Sequence, residues 1–253
     1  NKLLDAGRIE DLKTTIPLYF SELPHLKLDT TVAPDLVEEL IEMFQKLEKI
    51  DIGQQIKCDR HLLQYLQRKA NQQPLGSQSN PSDADKNFKF CLRSLGLNGS
   101  DITAAEFNTI PPAIKASIKE LDLFRVDCTD FDFSGFTGLT TLDLMRATIT
   151  AAEFNTIPPA SKESIKELGL YGVDCTGFNF SGFTGLTKLD LSSATITAAQ
   201  FNAIPPAIKA SIKELNLSGL NCTDFDFSGF TGLTKLVLRF ATISAAEFNA
   251  IPP

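Results

Sequence analysis

Two histidines, five cysteines and 31 acidic residues are what this 253-residue chain offers for bond-making chemistry. A zinc site needs Cys or His ligands at short spacing, and a nucleophilic enzyme needs a Ser or Cys that meets a base. His25 and His61 stand apart from any H-E-x-x-H pattern, and neither G-x-x-x-x-G-K-[ST] nor G-x-S-x-G occurs. Cys128, Cys175 and Cys222 have no second Cys or His at ligand spacing. The many aspartates could form a carboxylate pair or a cation site, but a solvated acidic face is the commoner meaning of such a distribution. The expectation is a chain that is not an enzyme and that holds no metal or cofactor.

The element that positions all these residues is a 47-residue unit written almost three times. Residues 118–164, 165–211 and 212–253 align without a gap. Self-similarity at a fixed period marks a solenoid. Each unit resolves into two turns of the pattern L-x-x-L-x-L-x-x-N-x-L, with the asparagine position relaxed. Turns open at Leu92, Ile118, Leu139, Ile165, Leu186, Ile212 and Leu233, so the spacings alternate between 26 and 21 residues. The fold class expected is α/β: a leucine-rich repeat solenoid, or horseshoe, with short parallel strands on its concave face. The three repeat cysteines then lie two turns apart, about 10 Å at the strand spacing of a sheet. That exceeds the ~7 Å limit for a disulfide, so they read as buried thiols and the chain as one working in a reducing compartment.

The long turns carry capping boxes after the strand, at Thr103 to Glu106, Thr150 to Glu153, Thr197 to Gln200 and Ser244 to Glu247. Each short helix that follows should bury a Phe and an Ile before Pro-Pro stops it. The short turns replace the helix with Phe131-Asp132-Phe133-Ser134-Gly135-Phe136 and its copies, which read as aromatic core filling. Ahead of the array, residues 1–70 read as a helical, divergent repeat pair acting as a cap. Strands are expected around Leu23 to Leu28 and Leu47 to Ile52, and helices over Pro34 to Lys49 and Asp59 to Lys69. Residues 71–87, rich in Gln, Ser, Asn and Pro, read as a linker or exposed loop before an array spanning 88–253. The third unit stops at Pro253 with no visible cap, so further turns or another domain are expected beyond it.

Copies differ mainly at the slots between and just after the strand leucines, which face solvent. The first slot runs Gly96, Asp122, Asp143, Gly169, Asp190, Asn216, Val237; the second Asn98, Phe124, Met145, Tyr171, Ser192, Ser218, Arg239; the third Gly99, Arg125, Arg146, Gly172, Ser193, Gly219, Phe240. Exposed positions vary freely when nothing constrains them, and single exposed apolar residues are ordinary. Here, however, Phe124, Met145 and Tyr171 should form a contiguous stripe with Arg125 and Arg146 on one side and Asp122 and Asp143 on the other. Aromatic residues and arginine clustered together are the composition of an interface hot spot. Val237, Arg239 and Phe240 form a second candidate patch.

A formal charge of −7 without a lysine or arginine run argues against nucleic-acid binding and a polybasic membrane anchor, and no apolar run of 18 residues is present. The segments IKELNLSGLNCTDF and LTTLDLMRATITAAEF resemble the leucine-rich repeat family over residues 92–253, and more weakly over 20–70. Alternation of two turn types is similar to the intracellular ribonuclease inhibitor, although every second turn here lacks its helix. The string IPPAIKASIKELNLSGLN resembles the repeats of leucine-rich effector proteins that intracellular bacteria deliver into host cells. That resemblance implies a scaffold that binds a host protein without covalent chemistry. Two other roles fit the same array: a substrate-recognition subunit of a ubiquitin ligase, and the repeat part of a larger enzyme.

Overall fold

Each strand of the array begins two residues after the Leu or Ile that opens its turn, where the L-x-L alternation sends one side chain inward and its neighbours outward. The computed structural model describes residues 92–252 in full, and the backbone alone of His25–Leu28 and Lys49–Ile52. Its strands are β1 (His25–Leu28), β2 (Lys49–Ile52), β3 (Ser94–Gly96), β4 (Glu120–Asp122), β5 (Thr141–Asp143), β6 (Glu167–Gly169), β7 (Lys188–Asp190), β8 (Glu214–Asn216) and β9 (Lys235–Val237). They form one open parallel sheet in chain order, with helical segments following β3, β5, β7 and β9 in a solenoid-like stack. Register is constant: Leu95, Leu121, Leu142, Leu168, Leu189, Leu215 and Leu236 are successive partners. The strands expected near 23–28 and 47–52 are β1 and β2, which extend this sheet. Lys49, expected to close a helix, opens β2 instead. The remaining expectations for residues 1–70 and the 71–87 linker lie outside the described residues.

The four capping boxes form, each with both of its reciprocal bonds, and start helices α1 (Ala104–Asn108), α3 (Ala151–Asn155), α5 (Ala198–Asn202) and α7 (Ala245–Asn249). Pro-Pro does more than stop these helices. Its second proline is the first residue of another helix, α2 (Pro112–Ser117), α4 (Pro159–Ser164) or α6 (Pro206–Ser211). Proline suits that position because its fixed φ is already helical and its missing N–H has no partner there. A serine closing each of these helices donates to the carbonyl of the residue that opens its turn: Ser117 to Leu92, Ser164 to Leu139, Ser211 to Leu186.

Phe131, Phe133 and Phe136 of the short turn and their two sets of copies lie in the core, as expected. Phe107, Phe154 and Phe201 stack on Phe131, Phe178 and Phe225 of the next short turn, with centroids 4.1, 4.0 and 4.2 Å apart. Long and short turns are therefore complementary: a helix supplies one ring, and the helix-free return supplies the ring that covers it. Asn108 brackets the return of the following turn, donating to the Asp130 carbonyl and accepting from the Asp132 N–H; Asn202 does the same with Asp224 and Asp226. Cys128, Cys175 and Cys222 are free thiols in the core. Burial raises all three thiol pKa values, that of Cys175 to about 12 and that of Cys222 to about 11. In the last described turn Phe248 is 57 % exposed, whereas its counterparts Phe107, Phe154 and Phe201 are fully covered.

Candidate functional site

The solvent-facing slots fall into register as three columns on one face of the sheet. In the first column Gly96, Asp122, Asp143, Gly169, Asp190, Asn216 and Val237 are consecutive ladder partners. Its acidic and amide side chains act on their own backbone. Oδ1 of Asp122, Asp143, Asp190 and Asn216 accepts from the N–H two residues on, at 3.0, 2.8, 2.8 and 3.1 Å. These are Asx turns, which bend the chain out of the strand. Asp122 and Asp143 are half-buried. Desolvation raises the Asp143 pKa to about 6, with the neighbouring Asp122 and Asp190 adding to the effect, while its bond from the Met145 N–H and the charge on Lys188 oppose it.

The backbone ladder continues one step past the strands and fixes the other two columns. Third-column N–H groups donate to second-column carbonyls of the following turn: Gly99 to Phe124, Arg125 to Met145, Arg146 to Tyr171, Gly172 to Ser192, Ser193 to Ser218 and Gly219 to Arg239. Phe124, Met145 and Tyr171 therefore occupy equivalent places in three consecutive turns, about 5 Å apart. All three are half-buried.

Every residue of the third column has a positive φ, from 51° at Ser193 to 75° at Gly219. Glycine accepts this left-handed conformation readily, and three turns use it. Arg125, Arg146, Ser193 and Phe240 adopt it with a side chain, at roughly 1–2 kcal/mol each. The choice of residue here is thus opposed by the backbone. In two of the four cases the side chain is also held: Arg125 Cζ lies 5.0 Å from the Phe124 ring centroid, and Arg146 Cζ lies 4.9 Å from that of Tyr171. Arg146 Nη2 also donates to the Tyr171 hydroxyl at 2.8 Å.

The structure brings together Phe124, Arg125, Met145, Arg146 and Tyr171 and keeps the second patch apart. Between them lie two turns with only Asp190, Ser192, Ser193, Asn216, Ser218 and Gly219 in the three columns. Val237 is half-buried on β9, Arg239 is exposed, and Phe240 is 96 % exposed.

Two features carry no obvious sequence motif. Gly169 interrupts the first column where a Cβ would lie 3.0 Å from Asp143 Oδ1 and 3.2 Å from Met145 Cγ, so its lack of a side chain lets both lean onto the next turn. The sequence signal was Glu-Leu-Gly where the preceding copy has Glu-Leu-Asp. The other feature is a row of buried lysines on the helical side, Lys115, Lys162 and Lys209, legible only as a charge recurring every 47 residues in an apolar helix. Their ammonium groups sit 5.4–5.8 Å from Phe ring centroids, and Lys115 and Lys209 also donate to the carbonyls of Asp132 and Asp226. Asn179 stands at the repeat position of those aspartates, and Lys162 donates to the Asn155 carbonyl at 3.2 Å.

Among the described residues no group of three or more His, Cys, Asp or Glu side chains could hold a metal ion, and no helix is long and apolar enough to cross a membrane. No protein-family model matches the chain, and no curated protein matches it in sequence.

Proposed function

We propose that the chain is a leucine-rich repeat scaffold that recognises a protein partner through the exposed face of its sheet. The observation that carries this reading is the convergence of Phe124, Met145 and Tyr171 in three consecutive turns, bordered by two arginines held in a backbone conformation that disfavours side chains. An aromatic and arginine cluster on a rigid ladder is chemically an interface anchor, and it offers no group for covalent chemistry. The leucine-rich repeat assignment rests on the L-x-x-L-x-L pattern together with the constant strand register. The likeness of the repeat to bacterial effector repeats makes the partner a host protein, held by occlusion or tethering.

The scaffold supplies its own control. Ser192 and Ser218 occupy the second column in neighbouring turns, so Phe124→Ser, Met145→Ser and Tyr171→Ser install residues that this backbone already accepts. The triple variant is expected to keep a cooperative thermal transition and to lose the proteins that the wild-type chain captures from eukaryotic-cell lysate. Undiminished capture by a folded triple variant would refute the proposal.

A further inference from the structure

Arg125 makes no side-chain hydrogen bond or ion pair among the described residues, and Arg146 makes only the one to Tyr171. Both guanidinium groups are exposed, in a chain whose formal charge is −7. They sit in adjacent turns, one ladder step apart, where backbone strain and ring contacts fix their direction before anything binds. A pre-oriented arginine fork loses little entropy when it meets a planar anion.

We infer that Arg125 and Arg146 select an acidic protein segment, an amphipathic helix that places two carboxylates against the arginines and apolar side chains on Phe124 and Met145. The spacing favours this occupant: one ladder step is about 4.8 Å, and helix positions i and i+4 hold Cβ atoms about 5–6 Å apart. Carboxylates fit better than phosphates because Asp122 and Asp143 accept from the backbone N–H groups of Phe124 and Met145, and acidic groups so close to the stripe repel a doubly charged ligand more than a singly charged one. The inference rests on the protein-binding reading above and adds the chemistry of the partner.

The test is selection of a phage-displayed library of randomised helical peptides on the full chain. The selected peptides are then measured on the Arg125→Gly/Arg146→Gly double variant and on the serine triple variant. Glycine stands at this position in three other turns, so the double variant retains a backbone the fold already uses. Selected peptides are expected to carry Asp or Glu at i and i+4 beside apolar residues, to bind the double variant about tenfold or more weakly, and to lose salt dependence there. Peptides lacking acidic pairs, or insensitive to the glycine substitutions yet lost on the serine variant, would overturn the carboxylate inference and leave the binding surface standing. Tighter binding when phosphoserine replaces each acid would reassign the pair to phosphate. Peptides indifferent to the serine variant, or no enrichment, would overturn both readings.

Discussion

Asp143 is a carboxylate placed on an outer face and then half-covered by its neighbours, and its energetics follow from that. With its pKa raised from 3.8 to about 6, the folded chain holds this proton more tightly than the unfolded chain does. Between those values the native state binds more protons, so the group makes stability fall as pH rises through the window. Asp143→Asn keeps an acceptor for the Met145 N–H, as Asn216 does for Ser218. The variant is expected to be more stable than wild type at pH 7.5 and no more stable at pH 4, as measured by urea unfolding at both values. An unchanged difference across pH would show that Asp143 is as solvated as an ordinary surface acid. At the neighbouring column Arg125→Gly should leave stability within about 0.5 kcal/mol, because relief of left-handed strain is offset by the freer unfolded chain and the lost ring contact. Which slots face outward was legible in the sequence from the L-x-L alternation. That the third slot is left-handed throughout was not, because only Gly99, Gly172 and Gly219 advertise it, and Arg125, Arg146, Ser193 and Phe240 hide it.

Element by element, the middle one of the three helices that begin at Pro-Pro, α4, departs from its siblings. Ser161 stands where Ile114 and Ile208 fill the core; it is fully buried and donates to the Phe136 carbonyl. Lys162 beside it lacks the carboxylate that Lys115 and Lys209 face, and desolvation lowers its pKa. Restoring the sibling residue with Ser161→Ile is expected to raise stability by about 1 kcal/mol, read as the midpoint of chemical unfolding. No change, or a loss, would show that the cavity around α4 has adapted to serine. The first helices were legible because a capping box is a local signal with its two partners three residues apart. The second helices were missed because proline weighs first as a helix breaker, and only its position one residue after another proline turns it into a helix start. The short turns were read correctly as helix-free, since their Phe-Ser-Gly-Phe return leaves no run long enough for one.

For the molecule as a whole, the pairing of unlike turns sets the smallest piece that can be removed. Deleting residues 165–211 takes out one short and one long turn and rejoins Ser164 to Ile212, so α4 is again followed by a short turn that covers Phe154. That variant is expected to unfold cooperatively. Deleting residues 165–185 alone places two helical turns together and strips Phe154 of Phe178, Phe180 and Phe183; it should unfold at markedly lower temperature. Equal melting temperatures for the two deletions, followed by circular dichroism, would contradict the complementarity.

The left-handed column has one more consequence. Each side chain written there carries about 1–2 kcal/mol of left-handed strain, and at Arg125 and Arg146 a second-column ring helps to offset it. Four of the seven turns are spelled with side chains and three are left blank as glycine. A blank can therefore be filled most readily where the second column supplies such a ring, and a new specificity would be expected to arise by changing the two columns together.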